Sequence, residues 1–355
     1  MEKYYSKKIY ANDLFDLSIQ DNALIVNLLK KNSLIISSWH NSGYQENISH
    51  VLNQSLITED YNIIEKKGSA YFQQKRMKEL NINPENATGL ITAASMDNYA
   101  ISTLSYKDLT VTSIVTAGAD KNGIKAGDPS SFYEYDNNYQ TIIGTINIIT
   151  IIDANLEPGA LTTAIITATE AKTSILQDLK IESQYSSNIA TGTGTDGICV
   201  ISNKESNNHL ENAGKHSMLG ELIAKTVQHA TRDALNLQTN MNADYQKTVL
   251  SRLSRFNITF DDFYNNSDTQ DLLDYSSKFY EFNRNVYHIS WISSFINLID
   301  EYQCGLLDFE DMKDVAIKIV DSFLCLNVSS NLNVNSTDEL LDYLINSINQ
   351  HILKK

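Results

Sequence analysis

The alternation of apolar and polar positions changes character along the chain. Before residue 153 the apolar residues come mostly in short, β-branched runs separated by Asn, Asp and Gly, a pattern that predicts strands. Leu14–Ile19 and Ala23–Leu29 read as a strand pair joined by the tight turn Asp21-Asn22, and Ser33–Ser38 as a third strand. A helix is predicted over Ser69–Leu80 with Ser69 as its N-cap, followed by strands over Thr88–Ala94, Tyr99–Tyr106 and Leu109–Ala117. Thr141–Ile152 is a long β-branched run, as expected of a central strand covered on both faces.

From Glu157 the period becomes helical. Glu157–Lys180 places Leu161, Ile165, Ala168, Ile175, Leu176 and Leu179 on one stripe, with Pro158 in the first turn, where a missing N–H costs nothing. Lys172 falls on that stripe and reads as a snorkelling stem, while Glu170 turns away with Thr163, Thr167 and Ser174. Ile198–Ile201 reads as a strand, and Ser217–Leu237 as a second amphipathic helix. Beyond Asp244 only helical periods remain, over Thr269–Tyr302, Phe309–Leu326 and Thr337–Ile352, with Phe279, Tyr280, Phe282, Tyr287 and Trp291 expected in their core. The expected fold class is therefore α/β: a mixed β-sheet flanked by helices, plus an all-helical C-terminal domain. After Gly220 only Gly305 remains, and the apolar period lapses between Gln238 and Asn242, which divides the chain into domains at 1–240 and 241–355.

Composition narrows the partners. A formal charge of −15 over 355 residues repels phosphate backbones and anionic lipid, so neither nucleic acid nor membrane is an expected partner. No apolar stretch is long enough to span a bilayer, and no apolar signal run follows Met1–Lys8. Cys199, Cys304 and Cys325 are widely spaced and match no zinc pattern, which suits a reducing compartment and points to the cytoplasm. A homo-oligomer stays open.

Chemistry concentrates in Ser187–Val200, where Thr191, Gly192, Thr193, Gly194, Thr195, Asp196 and Gly197 lie between two apolar runs. Small polar groups interleaved with glycine present donors without bulk, as a binding loop requires. The literal G-x-G-x-x-G from Gly192 to Gly197 is not a dinucleotide fingerprint, because it runs into a strand rather than opening a helix. Ala213-Gly214-Lys215-His216-Ser217 likewise fails as a phosphate loop: His209 stands where a glycine is needed, and His216 where Ser or Thr is. It still places Lys215 and His216 at a helix N-terminus, where developing negative charge is favoured.

Several stretches carry a further signal in order and spacing: Thr116-Ala117-Gly118 with Asn122 and Gly127-Asp128; Gly144–Asn147 running to Ile152–Leu156; Pro158–Leu161; Ile166–Lys172; Ala190–Gly197; and Ala213–Ser217 before Leu219-Gly220-Glu221. Together they resemble the adenosylcobinamide amidohydrolase family, with Ser37-Ser38, Gly43 and Asn53 similar to its N-terminal portion. The resemblance covers roughly the first two thirds of the chain and leaves the helical C-terminal part outside.

The resemblance implies hydrolysis of the amide between a corrin propionate and aminopropanol, giving adenosylcobyric acid and 1-amino-2-propanol in cobalamin precursor salvage. The substrate itself carries cobalt, so no cofactor is expected of the protein. Amide hydrolysis needs a nucleophile, a base, oxyanion donors and an acid for the leaving amine. His216 is the expected base and acid, oriented by Asp196 or Glu170, with Lys215 and the backbone around Gly192–Gly197 holding the oxyanion. The nucleophile is water, preferred because no serine elbow occurs, or the hydroxyl of Thr193 or Thr195. Thr191, Gly192, Thr193, Gly194, Thr195, Asn122, Asn147, Asp153 and Lys172 complete the expected substrate-binding set. Two other readings stay open: a metal held by Asp153, Glu170, Asp196 and His216, and a non-catalytic corrinoid- or nucleotide-binding module with a helical partner-binding domain.

Overall fold

The computed structural model describes residues 7–130, 145–326 and 334–354. They form two compact units, Met1–Asn242 and Ala243–Lys355. The first opens with β1 (Lys7–Ala11), β2 (Phe15–Gln20), β3 (Ala23–Leu28), β4 (Asn32–Ile36), β5 (Gly43–Glu46) and β6 (His50–Ser55). Then come α1 (Thr58–Lys67), α2 (Ser69–Glu79), β7 (Ala87–Thr92), β8 (Ala100–Tyr106) and β9 (Leu109–Ala117). The two-residue β10 (Gly123–Ile124), β11 (Ile146–Ile152) and β12 (Asn155–Leu156) lead into α3 (Pro158–Asp178). Finally β13 (Gly192–Thr193), β14 (Gly197–Asn203) and β15 (His209–Leu210) lead into α4 (Met218–Thr239).

These strands build two mixed sheets rather than the single one expected. One has the order β1-β2-β3-β6-β7, the other β5-β4-β14-β11-β9-β8. Leu17, Leu24, Val26 and Val51 of the first meet Leu34, Ile114, Ile149, Ile151 and Ile201 of the second in one buried layer. On its outer face the second sheet packs Val111, Ile148 and Val200 against Leu161, Ala168 and Ile175 of α3 and Ile223, Val227 and Ala230 of α4. The first sheet packs Ile25 and Leu52 against Met77 and Leu80 at α2. Burial on both faces explains why β11 is buried at all seven positions. The earlier part of its predicted run, Thr141–Gly144, lies outside the described residues.

Local chemistry accounts for the boundaries. Asp21 and Asn22 take positive φ, 48° and 59°, in the two-residue turn between β2 and β3. Helix α2 begins at Ser69 as expected, but its N-cap is Gly68, whose φ of 83° also ends α1. Helix α4 is capped by Ser217, whose hydroxyl accepts the Gly220 N–H at 3.0 Å, and ends at Asn240 in the left-handed region. Thr167 departs from the expected solvent face of α3: it is buried and donates to the Ala213 carbonyl at 2.9 Å.

The second unit comprises α5 (Val249–Leu253), α6 (Phe260–Asn265), α7 (Leu272–Arg284), α8 (Val286–Gln303), α9 (Phe309–Leu324) and α10 (Thr337–Lys354). The single helix expected over Thr269–Tyr302 is two, because extended Asn285 interrupts it and its side chain caps α8 through the Tyr287 N–H at 2.9 Å. Phe279, Phe282 and Trp291 join the core as expected, whereas Tyr280 and Tyr287 are exposed. Tyr275 donates to Asn349 at 2.5 Å, and Asn349 to the Phe263 carbonyl at 2.8 Å, which ties α7, α10 and α6. Among the described residues no helix is long and apolar enough to cross a membrane.

Each unit has its own core, so a chain ending at Asn242 is expected to unfold in a single cooperative step on heating; a truncated chain without such a transition would contradict that independence.

Candidate functional site

The second sheet fixes where the glycine-threonine loop lies. β11 and β14 run parallel, with Asn147 paired to Gly197 at their N-terminal ends. The chain enters β14 through the loop Thr191–Asp196, whose first part pairs with β10 in the register Gly123↔Thr193 and Ile124↔Gly192. Gly123 is required there, because a Cβ would sit 2.6 Å from the Glu182 carbonyl oxygen. The next step of that register puts buried Asn122 beside Gly194. Thr191 accepts the Ala126 N–H on its hydroxyl at 2.8 Å, and its carbonyl accepts from Thr173 of α3 at 2.8 Å. Ser37, just beyond β4, brackets Ile198 by accepting its N–H on Oγ at 2.9 Å and donating its own N–H to the Ile198 carbonyl at 3.0 Å.

Asp196 is the centre of this loop. Its Oδ1 accepts the Thr193 hydroxyl at 2.5 Å and the N–H groups of Thr193 and Ile146, each at 3.1 Å. Its Oδ2 is ion-paired to Lys172 Nζ from α3. The side chains of Lys172 and Asp196 are only 6% and 15% exposed, so the pair is nearly out of water. Lys172 therefore does not snorkel: it crosses from the apolar stripe of α3 to meet a carboxylate that has all its acceptor positions engaged. Gly192 makes room for the pair, since a Cβ there would meet both Asp196 Oδ2 and Lys172 Nζ. Thr145 completes the clamp by donating to the Thr195 carbonyl. Thr145 lies in the Gly144–Asn147 stretch that carries the family resemblance but is not among the expected site residues.

Asn147 links the loop to the other sheet. Its Nδ2 donates to Asn53 Oδ1 at 2.8 Å and to the Ile91 carbonyl at 3.0 Å, and Asn53 donates in turn to Thr116 at 2.8 Å. Asn147 Oδ1 is buried without a hydrogen-bond partner among the described residues, 2.6 Å from where a Gly197 Cβ would stand. Nearby, Asp128 accepts from Ser183 at 2.7 Å and from the Lys125 N–H at 3.0 Å. Burial works to raise its pKa, but these donors, with Ser186 and the Lys125 charge, outweigh it and hold the carboxyl below its ordinary range.

The other expected site residues lie elsewhere. Glu170 and Lys215 pair with each other on the solvent face, 50% and 61% exposed, because two residues of helix turn Glu170 well away from the buried side that carries Lys172. His216 is exposed, and among the described residues no hydrogen bond or ion pair joins it to Asp196 or Glu170. Asp153 follows the opposite end of β11, held by Asn203 at 2.8 Å; seven strand residues put it about 20 Å from the Asp196 end. Among the described residues no three His, Cys, Asp or Glu side chains gather as a metal group, so the four weighed as ligands are not brought together. Cys199 follows the loop on β14 but points into the layer between the sheets, where burial pushes its thiol pKa up.

Two mixed sheets with helices outside, and a buried lysine-carboxylate pair beneath a glycine-threonine loop, make the first unit an α/β domain with a polar centre at one end of its second sheet. The chain belongs to the adenosylcobinamide amidohydrolase family, whose sequence profile matches residues 7–243. It is also 32% identical over 247 residues to the uncharacterized protein MJ1613 of Methanocaldococcus jannaschii, an alignment covering 66% of this chain and 94% of that one. The crystal structure of the PH0078 protein from Pyrococcus horikoshii OT3 aligns with a TM-score of 0.32 and 10% identity over 64% of this chain and 82% of its own.

Two outcomes are expected from this geometry. Lys172→Met leaves a buried carboxylate without its cation and should cost about 3 kcal/mol or more in urea unfolding; a cost near zero would show that the pair is solvated. In the native protein a thiol reagent should label the exposed Cys304 and Cys325 rapidly and Cys199 only on unfolding, and fast labelling of three thiols would contradict the packing around β14.

Proposed function

We propose that this chain is an adenosylcobinamide amidohydrolase that releases 1-amino-2-propanol from the corrin propionate and leaves adenosylcobyric acid. The observation that carries the reading is the family match, which spans essentially the whole first unit, Met1–Asn242. The corrinoid is the substrate, and its cobalt travels with it. The geometry supports a reacting centre at the Asp196 end of β11 and β14, where a carboxylate, a hydroxyl and a buried cation converge. We assign the proton-handling role to Asp196 rather than to His216. Asp196 already holds the proton of a neighbouring hydroxyl, whereas His216 stands in solvent beside the Lys215–Glu170 pair. Thr195, partly exposed in the same loop, is suited to contact the aminopropanol end, whereas Asn122 is fully buried just before β10. Lys215 and His216, at the N-terminus of α4, suit a peripheral contact with the substrate's polar amide side chains.

Mass spectrometry of reactions with adenosylcobinamide tests the reading. Adenosylcobyric acid and free aminopropanol are the expected products, and recovery of intact corrinoid would overturn it. Asp196→Asn is expected to lower turnover by roughly a thousand-fold, while His216→Ala stays within about ten-fold of wild type. The reverse ranking would return the acid-base role to His216.

A further inference from the structure

Resting on the amidohydrolase reading, we propose that Thr193 is the nucleophile of this site, so that hydrolysis passes through an ester between the corrin propionate and the Thr193 hydroxyl. Among the described residues Thr193 contributes the only hydroxyl that donates to Asp196, and at 2.5 Å the contact is as short as charge-assisted hydroxyl-carboxylate bonds become. Two neighbouring hydroxyls are committed to the backbone. Thr191 Oγ1 accepts the Ala126 N–H and reaches the Ile124 carbonyl at 3.5 Å, and Thr145 donates to the Thr195 carbonyl.

Further features suit the role. Thr193 is fixed before any substrate arrives, by its β10 pairing and by its own N–H on Asp196, so attack requires little reorganisation. Thr193 is itself buried, but Gly194 directly after it reaches the surface. Lys172 pairs with the far oxygen of Asp196, so the carboxylate faces a cation on one side and the Thr193 hydroxyl on the other. The Thr195 N–H points at Thr193 Oγ1 from 3.5 Å, so the loop backbone also contacts the attacking oxygen.

The step balances as follows. Thr193 Oγ1 bonds to the amide carbonyl carbon as its proton passes to Asp196 Oδ1. The C–N bond then breaks, and that proton goes to the leaving amine nitrogen. Water adds to the resulting ester and gives a proton to Asp196, and the C–O bond to Thr193 breaks as the proton returns to Oγ1. Amide and water become carboxylic acid and amine, with the enzyme restored.

The test uses the full chain with adenosylcobinamide in the presence of hydroxylamine, which captures an acyl-enzyme as the corrin hydroxamate. Wild type and Thr193→Ser are expected to form hydroxamate alongside the acid, while Thr193→Ala loses roughly a thousand-fold or more in turnover and still unfolds cooperatively in urea, at a somewhat lower midpoint. Turnover of Thr193→Ala within about ten-fold of wild type, or acid without hydroxamate from wild type, would overturn the assignment while leaving the amidohydrolase reading in place. If wild type forms no acid at all, the reading itself falls and takes the nucleophile with it.

Discussion

The buried Lys172–Asp196 ion pair is the constraint on which the rest of the first unit depends. Removing both charges from water is costly, and their attraction offsets that cost only when the remaining lone pairs are also satisfied. The Thr193 hydroxyl and two backbone N–H groups on Asp196 do this. In doing so they fix the course of the loop between β13 and β14 and tie it to the start of β11. Because Lys172 belongs to α3, the pair also sets how that helix lies over the second sheet. Gly192 follows from the same requirement, since any side chain there would occupy the space of the two charged groups.

Much of the fold was legible in the sequence because it depends on local period. The β2–β3 hairpin, the fully buried β11 and the two long helices of the first unit lie close to where the pattern puts them. The division into two sheets was not legible, since consecutive strands change sheet: β3 joins one, β4 and β5 the other, and β6 returns to the first. The break at Asn285 was hidden for a different reason. It carries neither glycine nor proline, and the short polar run Asn283-Arg284-Asn285 looks like the solvent side of a continuing helix.

The candidate site was legible as a loop and not as a centre. The density of threonine and glycine around Asp196 marked it, and Asn147 entered only through the family resemblance. Lys172 was visible as a charge on an apolar stripe, but its partner lies 24 residues further on, across a turn whose path no period reveals. Lys215 and His216 drew attention through a glycine turn at a helix start. The helical period of α3 already put Glu170, and with it Lys215, on the solvent side.

The pairing of β4 with β14 has a kinetic consequence. Almost every group around Asp196 comes from residues 122–196, a contiguous stretch that could pass for a self-sufficient module. Yet β14 is bordered on one side by β4, whose register joins Ile36 to Cys199 and Asn32 to Asn203, and Ser37 closes on Ile198 across 161 residues. Closing so long a loop must precede the contacts that reward it, so such topologies fold slowly. During synthesis the early strands β1 to β6 emerge long before their partner in the second sheet exists. The loop that carries Asp196 can take its final shape only after β14 has docked between β4 and β11, which makes the candidate site one of the last parts of the first unit to form.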